Sequence, residues 1–221
     1  MTIRIAMLLF PDITQLDLTA PYEVLARLPD AQVSLVWKSL EPVTSGTGLR
    51  LTPNATLAEA APADVLFVPG GSGLVPLLRD EQVLEFVRRQ AATARWVTAV
   101  CTGSLLLGAA GLLEGYRATT HWAYHDFLER CGAIPVRERV VTDRNRITAG
   151  GVTAGMDFAL RLAAELAGEQ LARGIQLGLE YDPAPPFDSG TPERATPELV
   201  RSVLDRFAAP RRGYAEALPH R

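Results

Sequence analysis

The chain has 221 residues; at roughly 150 residues per domain this is one full α/β domain with room for a core that needs neither disulfides nor metal. Its composition, 48% apolar and 21% charged, excludes disorder, collagen and coiled coil, and a net charge of −3 excludes a general basic field for nucleic acid. Cys101 and Cys131 are too few for a disulfide framework, so a reducing, cytoplasmic setting is expected.

Ile3 to Phe10 is almost continuously apolar after Arg4, the pattern of a strand covered on both faces. It lacks the basic start and small-residue cleavage site of a secretory leader, and no apolar run approaches the roughly 20 residues of a membrane span. A helix is expected from Ala20 to Leu28 and a second strand from Gln32 to Lys38. A turn or hairpin follows over Pro42 to Pro53, then a third strand from Asp64 to Val68, stopped by Pro69-Gly70-Gly71. Glu81 to Ala92 carries Val83, Phe86, Val87 and Gln90 at helical spacing, with only the last polar. Trp96 to Val100 is a fourth strand, running straight into Cys101-Thr102-Gly103-Ser104 and a helix over Leu105 to Leu113.

Ala118 to Thr120 predicts a short strand, Ala123 to Arg130 a helix, and Val136 to Thr142 a strand paired with Arg146 to Ala149. Thr153 caps a helix reaching about Ala167, with Asp157 near its positive end. Pro183 to Pro192 is a proline-rich loop, and a last helix runs from Pro197 to Ala208. Residues 1–209 read as one domain and 210–221 as a frayed tail. Alternating strand and helix predicts a three-layer α/β sandwich around a mostly parallel sheet.

In such folds sites lie beyond the carboxyl ends of the strands. Cys101 stands there, on a small-residue turn between a buried strand and a helix, where backbone N–H groups favour the thiolate and lower the thiol pKa. The other reading is a buried, inert cysteine, which also describes Cys131 beside Gly132. Asp17, between two leucines, is either a cap or solvated acid, or a carboxyl meeting Cys101. In the second case burial and repulsion raise its pKa and let it carry a proton. Thr102 either caps the helix or bonds Asp17 or Cys101. Gly70-Gly71 and Gly150-Gly151 allow close backbone approach to a ligand, or merely form tight turns, and Val152 offers an apolar wall. His121 is either a base for Cys101 or a hydrogen-bonded core histidine. With His125 four residues on, but no companion ligand motif, a metal site is not expected, nor is any phosphate or dinucleotide loop.

Four ordered stretches are similar to the ThiJ/PfpI superfamily: Val68-Pro69-Gly70-Gly71, Ala99-Val100-Cys101-Thr102-Gly103-Ser104, Ala118-Thr119-Thr120-His121-Trp122, and Ala149 to Asp157. The resemblance covers about residues 3 to 180 and implies the class I glutamine amidotransferase-like (flavodoxin-like) fold. Gln15-Leu16-Asp17-Leu18-Thr19, the Cys-Thr-Gly elbow and Leu179 to Phe187 look most like its isocyanide hydratases.

That likeness implies Cys101 as nucleophile and Asp17 as the acid beside it, giving its proton directly or through Thr102. It implies Gly71 and the Thr102 N–H as anion-stabilising groups and Gly150 and Val152 as pocket lining. The implied reaction is hydration of an isocyanide to an N-substituted formamide: thiolate attack on carbon, a proton from Asp17 to nitrogen, a thioimidate, then water. A homodimer without metal or organic cofactor is implied. A glyoxalase or deglycase activity using His121, and a cysteine-based redox or ligand sensor, are the alternatives. The regulators that share these motifs carry a helix-turn-helix pair, for which the roughly forty residues after Tyr181, with one helix, leave no room.

Overall fold

The computed structural model describes residues 2–218; His220 and the end of the expected tail lie outside them. Strand β1 (Ile3–Leu8) leads to α1 (Gln15–Leu25) and β2 (Ala31–Trp37). The hairpin β3 (Val43–Thr44) and β4 (Arg50–Leu51) precedes β5 (Ala55–Thr56) and β6 (Val65–Val68). Then come α2 (Leu74–Leu77), α3 (Glu81–Thr93), β7 (Trp96–Val100), α4 (Gly103–Ala109) and β8 (Arg117–Ala118). The short pair partner β9 (Ile134–Pro135) is followed by β10 (Val140–Asp143), β11 (Arg146–Ala149), α5 (Ala154–Ala167), α6 (Glu169–Gly178) and α7 (Pro197–Ala217).

Seven strands form the central sheet in the order β10-β11-β7-β6-β1-β2-β5. Every pairing is parallel except β10 with β11, whose register Val140↔Ala149 to Asp143↔Arg146 closes the expected turn at Arg144-Asn145. The central strands are buried on both faces, which is why Val65 to Val68 reads as an unbroken apolar run and Val97 to Val100 is interrupted only by Thr98, whose hydroxyl donates to the Leu66 carbonyl at 2.8 Å. Helices α1, α5 and α6 pack together as one layer, and α2, α3, α4 and α7 as the other. Among the described residues no helix is long and apolar enough to cross a membrane.

The polar Gln90 on the apolar stripe of α3 has a structural reason. It is buried, accepts a hydrogen bond from the Ala63 N–H at 3.0 Å and donates to the Ala61 carbonyl at 3.0 Å. It thereby serves the loop entering β6, whose backbone groups would otherwise be buried unpaired. Asp80 caps the same helix, accepting from the Val83 N–H at 3.2 Å.

Beyond shifted ends of several elements, the structure departs from the sequence reading in these places. Helix α1 begins at Gln15 instead of Ala20, with Pro21 in its interior. The expected helix over Ala123 to Arg130 is two 3-10 turns, Trp122–Phe127 and Glu129–Cys131. Helix α6 had no predicted counterpart. Helix α7 continues past Ala208 and Pro210 to Ala217, where fraying was expected. Arginines hold its end: Arg130 donates to the carbonyls of Ala215 and Leu218 at 2.7 and 2.6 Å, and Arg79 to Ala217 at 3.3 Å. Cations on the last carbonyls offset what the helix loses at Pro210.

Gln90→Leu keeps the volume but strands the Ala63 N–H and the Ala61 carbonyl. It should lower stability by about 1–3 kcal/mol in urea unfolding.

Candidate active site

Strand β7 ends at Val100 and α4 starts at Gly103, so the chain must turn within two residues. Cys101 makes that turn in the left-handed region, φ 57°. Its backbone is held from both sides. The N–H donates to the carbonyls of Ala149 and Gly150, both at 3.0 Å, and the carbonyl accepts from Ser104 Oγ at 2.9 Å and Thr120 Oγ1 at 2.7 Å. Gly103 has to be glycine, because a Cβ there would lie 2.1 Å from the Val68 carbonyl oxygen. The backbone N–H groups of Thr102 and Val152 are directed at the Cys101 sulfur. Val152 itself has a φ of 34°, rare for a β-branched residue. The cysteine is 6% exposed.

Asp17 lies in the first turn of α1, fully buried on the face that also carries Leu18 and Pro21. Its Oδ2 accepts the Gly70 N–H at 3.0 Å, its carboxyl adjoins the Cys101 thiol, and its Oδ1 has no hydrogen-bond partner. Gly70 shows how tightly these groups converge. A Cβ added to it would stand 2.7 Å from Asp17 Oδ2, 2.7 Å from the Thr102 nitrogen and 2.8 Å from Cys101 Cβ.

Burial pushes the Asp17 carboxyl up to about 7, against the opposing hydrogen bonds from Cys101 and Gly70. The sequence reading expects a lowered thiol pKa, and here the structure differs. Burial first, and the neighbouring Asp17 charge second, push Cys101 well above its ordinary range, outweighing the N–H groups of Thr102 and Val152. As pH rises through about 7 the two interacting groups pass from holding two protons to sharing one. The unpartnered Oδ1 is a natural seat for it.

Thr102 is buried, but its hydroxyl accepts the Gly71 N–H at 3.1 Å and is not bonded to Asp17. The same bond occupies the Gly71 N–H, expected to stabilise an anion; the N–H groups that do face the sulfur are those of Thr102 and Val152. Gly150 accepts from Cys101 and, with Val152, lines a cleft of about 370 Å³ that also includes Thr120, His121 and Trp122. A larger cleft of about 890 Å³ lies between α1, α5 and the 181–190 segment; Cys101 and Asp17 line neither cleft, but Gly150 and Val152, which bond or adjoin the cysteine, line the smaller one.

His121 is not placed as a base. Its Nδ1 accepts the Ala123 N–H at 3.2 Å, its ring packs against Trp122, Tyr124 and Phe207, and burial lowers its pKa to about 4. His125 bonds the Val136 carbonyl, and Cys131 is buried against Gly108. The residue that sequence reasoning missed is Tyr214, 1% exposed, whose hydroxyl donates to the Gly71 carbonyl at 3.0 Å. Pro210 concealed it by suggesting that order ends four residues earlier.

The upward shift of Asp17 has a sign for stability. The folded state holds the proton more tightly than the unfolded chain, so this contribution is complete below about pH 4 and lost as pH rises through about 7. Asp17→Asn has no such dependence. Relative to that variant, the protein should lose on the order of 4 kcal/mol between pH 4 and pH 8, measured by denaturant unfolding at each pH.

Comparison with known proteins shows what the chain is similar to as a whole. The model of the DJ-1/PfpI family matches residues 3–165. An isonitrile hydratase from Pseudomonas putida is 61% identical over 208 residues, covering 94% of this chain and 91% of that protein. The crystal structure of a ThiJ/PfpI family protein from Pseudomonas syringae superposes with a TM-score of 0.96 at 43% identity, over 98% of this chain and 90% of that one. The HTH-type transcriptional regulator GbdR of Pseudomonas aeruginosa is 36% identical over 142 residues, 63% of this chain but 38% of the regulator. With its cysteine on the strand-to-helix elbow and its parallel sheet, this chain belongs to the DJ-1/PfpI family.

Proposed function

We propose that this protein hydrates isocyanides to N-substituted formamides, with Cys101 as nucleophile and Asp17 as proton carrier. The observation that carries the reading is the buried carboxyl set against the elbow cysteine, in a chain similar along nearly its whole length to an isonitrile hydratase.

The proton balance fixes the order of events. The pair starts as a thiolate beside a protonated Asp17, one arrangement of its single proton. The sulfur lone pair attacks the terminal carbon of R–N≡C. The formyl hydrogen of the product is absent from the isocyanide, so the Asp17 proton ends on carbon, and not on nitrogen as the sequence reading has it. The result is the thioimidate Cys101–S–CH=N–R and an Asp17 carboxylate. Water oxygen then adds to the same carbon while Asp17 takes a water proton and passes it to nitrogen. As the C–S bond breaks, the hydroxyl proton goes to Asp17 and formamide leaves, restoring the starting pair. The N–H groups of Thr102 and Val152 stabilise the sulfur charge at both ends of the cycle. No step passes through the Thr102 hydroxyl, because it makes no bond to Asp17. The R group lies in the cleft bounded by Gly150, Val152 and Trp122.

Carbonyl chemistry based on His121 finds no support, since burial lowers its pKa to about 4 and so weakens it as a base, and its Nδ1 is engaged by the Ala123 N–H. The reading includes a homodimer, for which Leu16 and Tyr22 on α1 provide exposed apolar surface, and a reducing, cytoplasmic setting that keeps Cys101 as a thiol.

With an aryl isocyanide as substrate, Cys101→Ala should abolish formamide production and Asp17→Asn should reduce kcat by about 100-fold or more. Wild-type kcat/KM should rise with pH through about 7, as the doubly protonated pair loses its first proton. Wild-type rates in both variants, or a profile flat across neutrality, would remove the assignment. In heavy water the product should carry deuterium on the formyl carbon, read by proton NMR; protium there would mean that the hydrogen has another source.

A further inference from the structure

Helix α7 is the last element of the fold, yet its final turns are anchored more firmly than its middle. Arg79 and Arg130 bind its terminal carbonyls from two sides, and Arg211 forms a two-pronged ion pair with Asp126 at 2.8 and 3.0 Å. Between these anchors Tyr214 is buried, packed edge-on against Tyr124 and stacked with Phe127. Its hydroxyl reaches the Gly71 carbonyl at 3.0 Å. The N–H of that same Gly71 donates to Thr102 Oγ1 at 3.1 Å, and the Thr102 hydroxyl also bonds Tyr214.

One glycine is thus held at its carbonyl by Tyr214 and at its N–H by the residue after the nucleophile. Its neighbour Gly70 holds Asp17 Oδ2. Gly71 cannot find this place by side-chain packing, having none. Its backbone, φ 144°, is wedged where a Cβ would stand 2.6 Å from the Thr14 nitrogen and 2.7 Å from the Asp12 carbonyl oxygen.

We propose that Tyr214 is a positioning residue for the hydration reaction: through Gly71 and Thr102 it ties the turn that holds Asp17 to the turn that holds Cys101, so the end of α7 sets the distance over which their shared proton moves. The inference rests on the proposed reaction for its turnover arm only. An apolar wall at this position would pack equally well but could bond neither Gly71 nor Thr102. A hydroxyl buried here costs desolvation that only its two bonds offset.

The test compares Tyr214→Phe, Thr102→Val and the double variant by two readouts. The first is turnover of an aryl isocyanide. Each single variant should lower kcat on the order of 10- to 100-fold with KM little changed, and the double should be no slower than the slower single, because both cut one connection. The second is the pH dependence of Cys101 alkylation by iodoacetamide, which needs no isocyanide chemistry. In Tyr214→Phe the profile should move to lower pH by about half a unit or more, as a loosened turn lets water reach the buried pair at Asp17 Oδ1.

A wild-type protein that turns over no isocyanide overturns the proposed reaction, while the alkylation arm still decides the role of Tyr214. Multiplying losses in the double variant, or an unchanged alkylation profile in Tyr214→Phe whatever its melting temperature, would overturn that role. Should Tyr214→Phe fail to fold, Thr102→Val must show the alkylation shift alone, and its absence there counts against the proposal equally.

Discussion

The site depends on a carboxyl and a thiol confined together without water. Neither Asp17 nor Cys101 is remarkable as a residue type; what alters them is that α1 and the β7 elbow bring them into one buried space. Desolvation raises both, and the charge of Asp17 raises Cys101 further. Isolated groups would hold one proton near neutrality, on sulfur, whereas the buried pair takes up a second as pH falls through about 7. A shared proton next to a soft nucleophile suits addition to a carbon that must gain a sulfur and a hydrogen together.

The surrounding backbone exists in large part to preserve this confinement. Cys101 occupies a left-handed conformation that its two accepted and two donated hydrogen bonds hold in place. Gly70 and Gly103 permit approaches that any Cβ would block. Elements far apart in sequence meet here: the first helix supplies the acid, the middle of the sheet the nucleophile, and the last helix a hydroxyl behind both.

How much of this was legible beforehand follows from which signals are local. The buried parallel strands announce themselves by nearly unbroken apolar runs, and the elbow by a cysteine between such a run and Thr-Gly-Ser. Even Gln90, anomalous in an apolar stripe, marked a real bond to the loop before β6. Asp17 was ambiguous because the helix was expected only from Ala20, which left it outside any element; packing on the core carries the helix back to Gln15. Tyr214 was illegible for a similar reason, since Pro210 signals an end that distant arginines override. The direction of the thiol shift was missed because helix-end electrostatics can be read from a motif, whereas burial by a partner 84 positions away cannot.

The central claim is that Asp17 keeps its proton near neutrality, and it can be observed at the atom concerned. Carbon NMR of protein labelled in the aspartate side-chain carboxyl, with Asp17 assigned by its absence from Asp17→Asn, gives the titration of that group directly. The account predicts a midpoint near 7. A midpoint near 4, the ordinary carboxylate range, would leave Cys101 with no acid at its side and contradict the account.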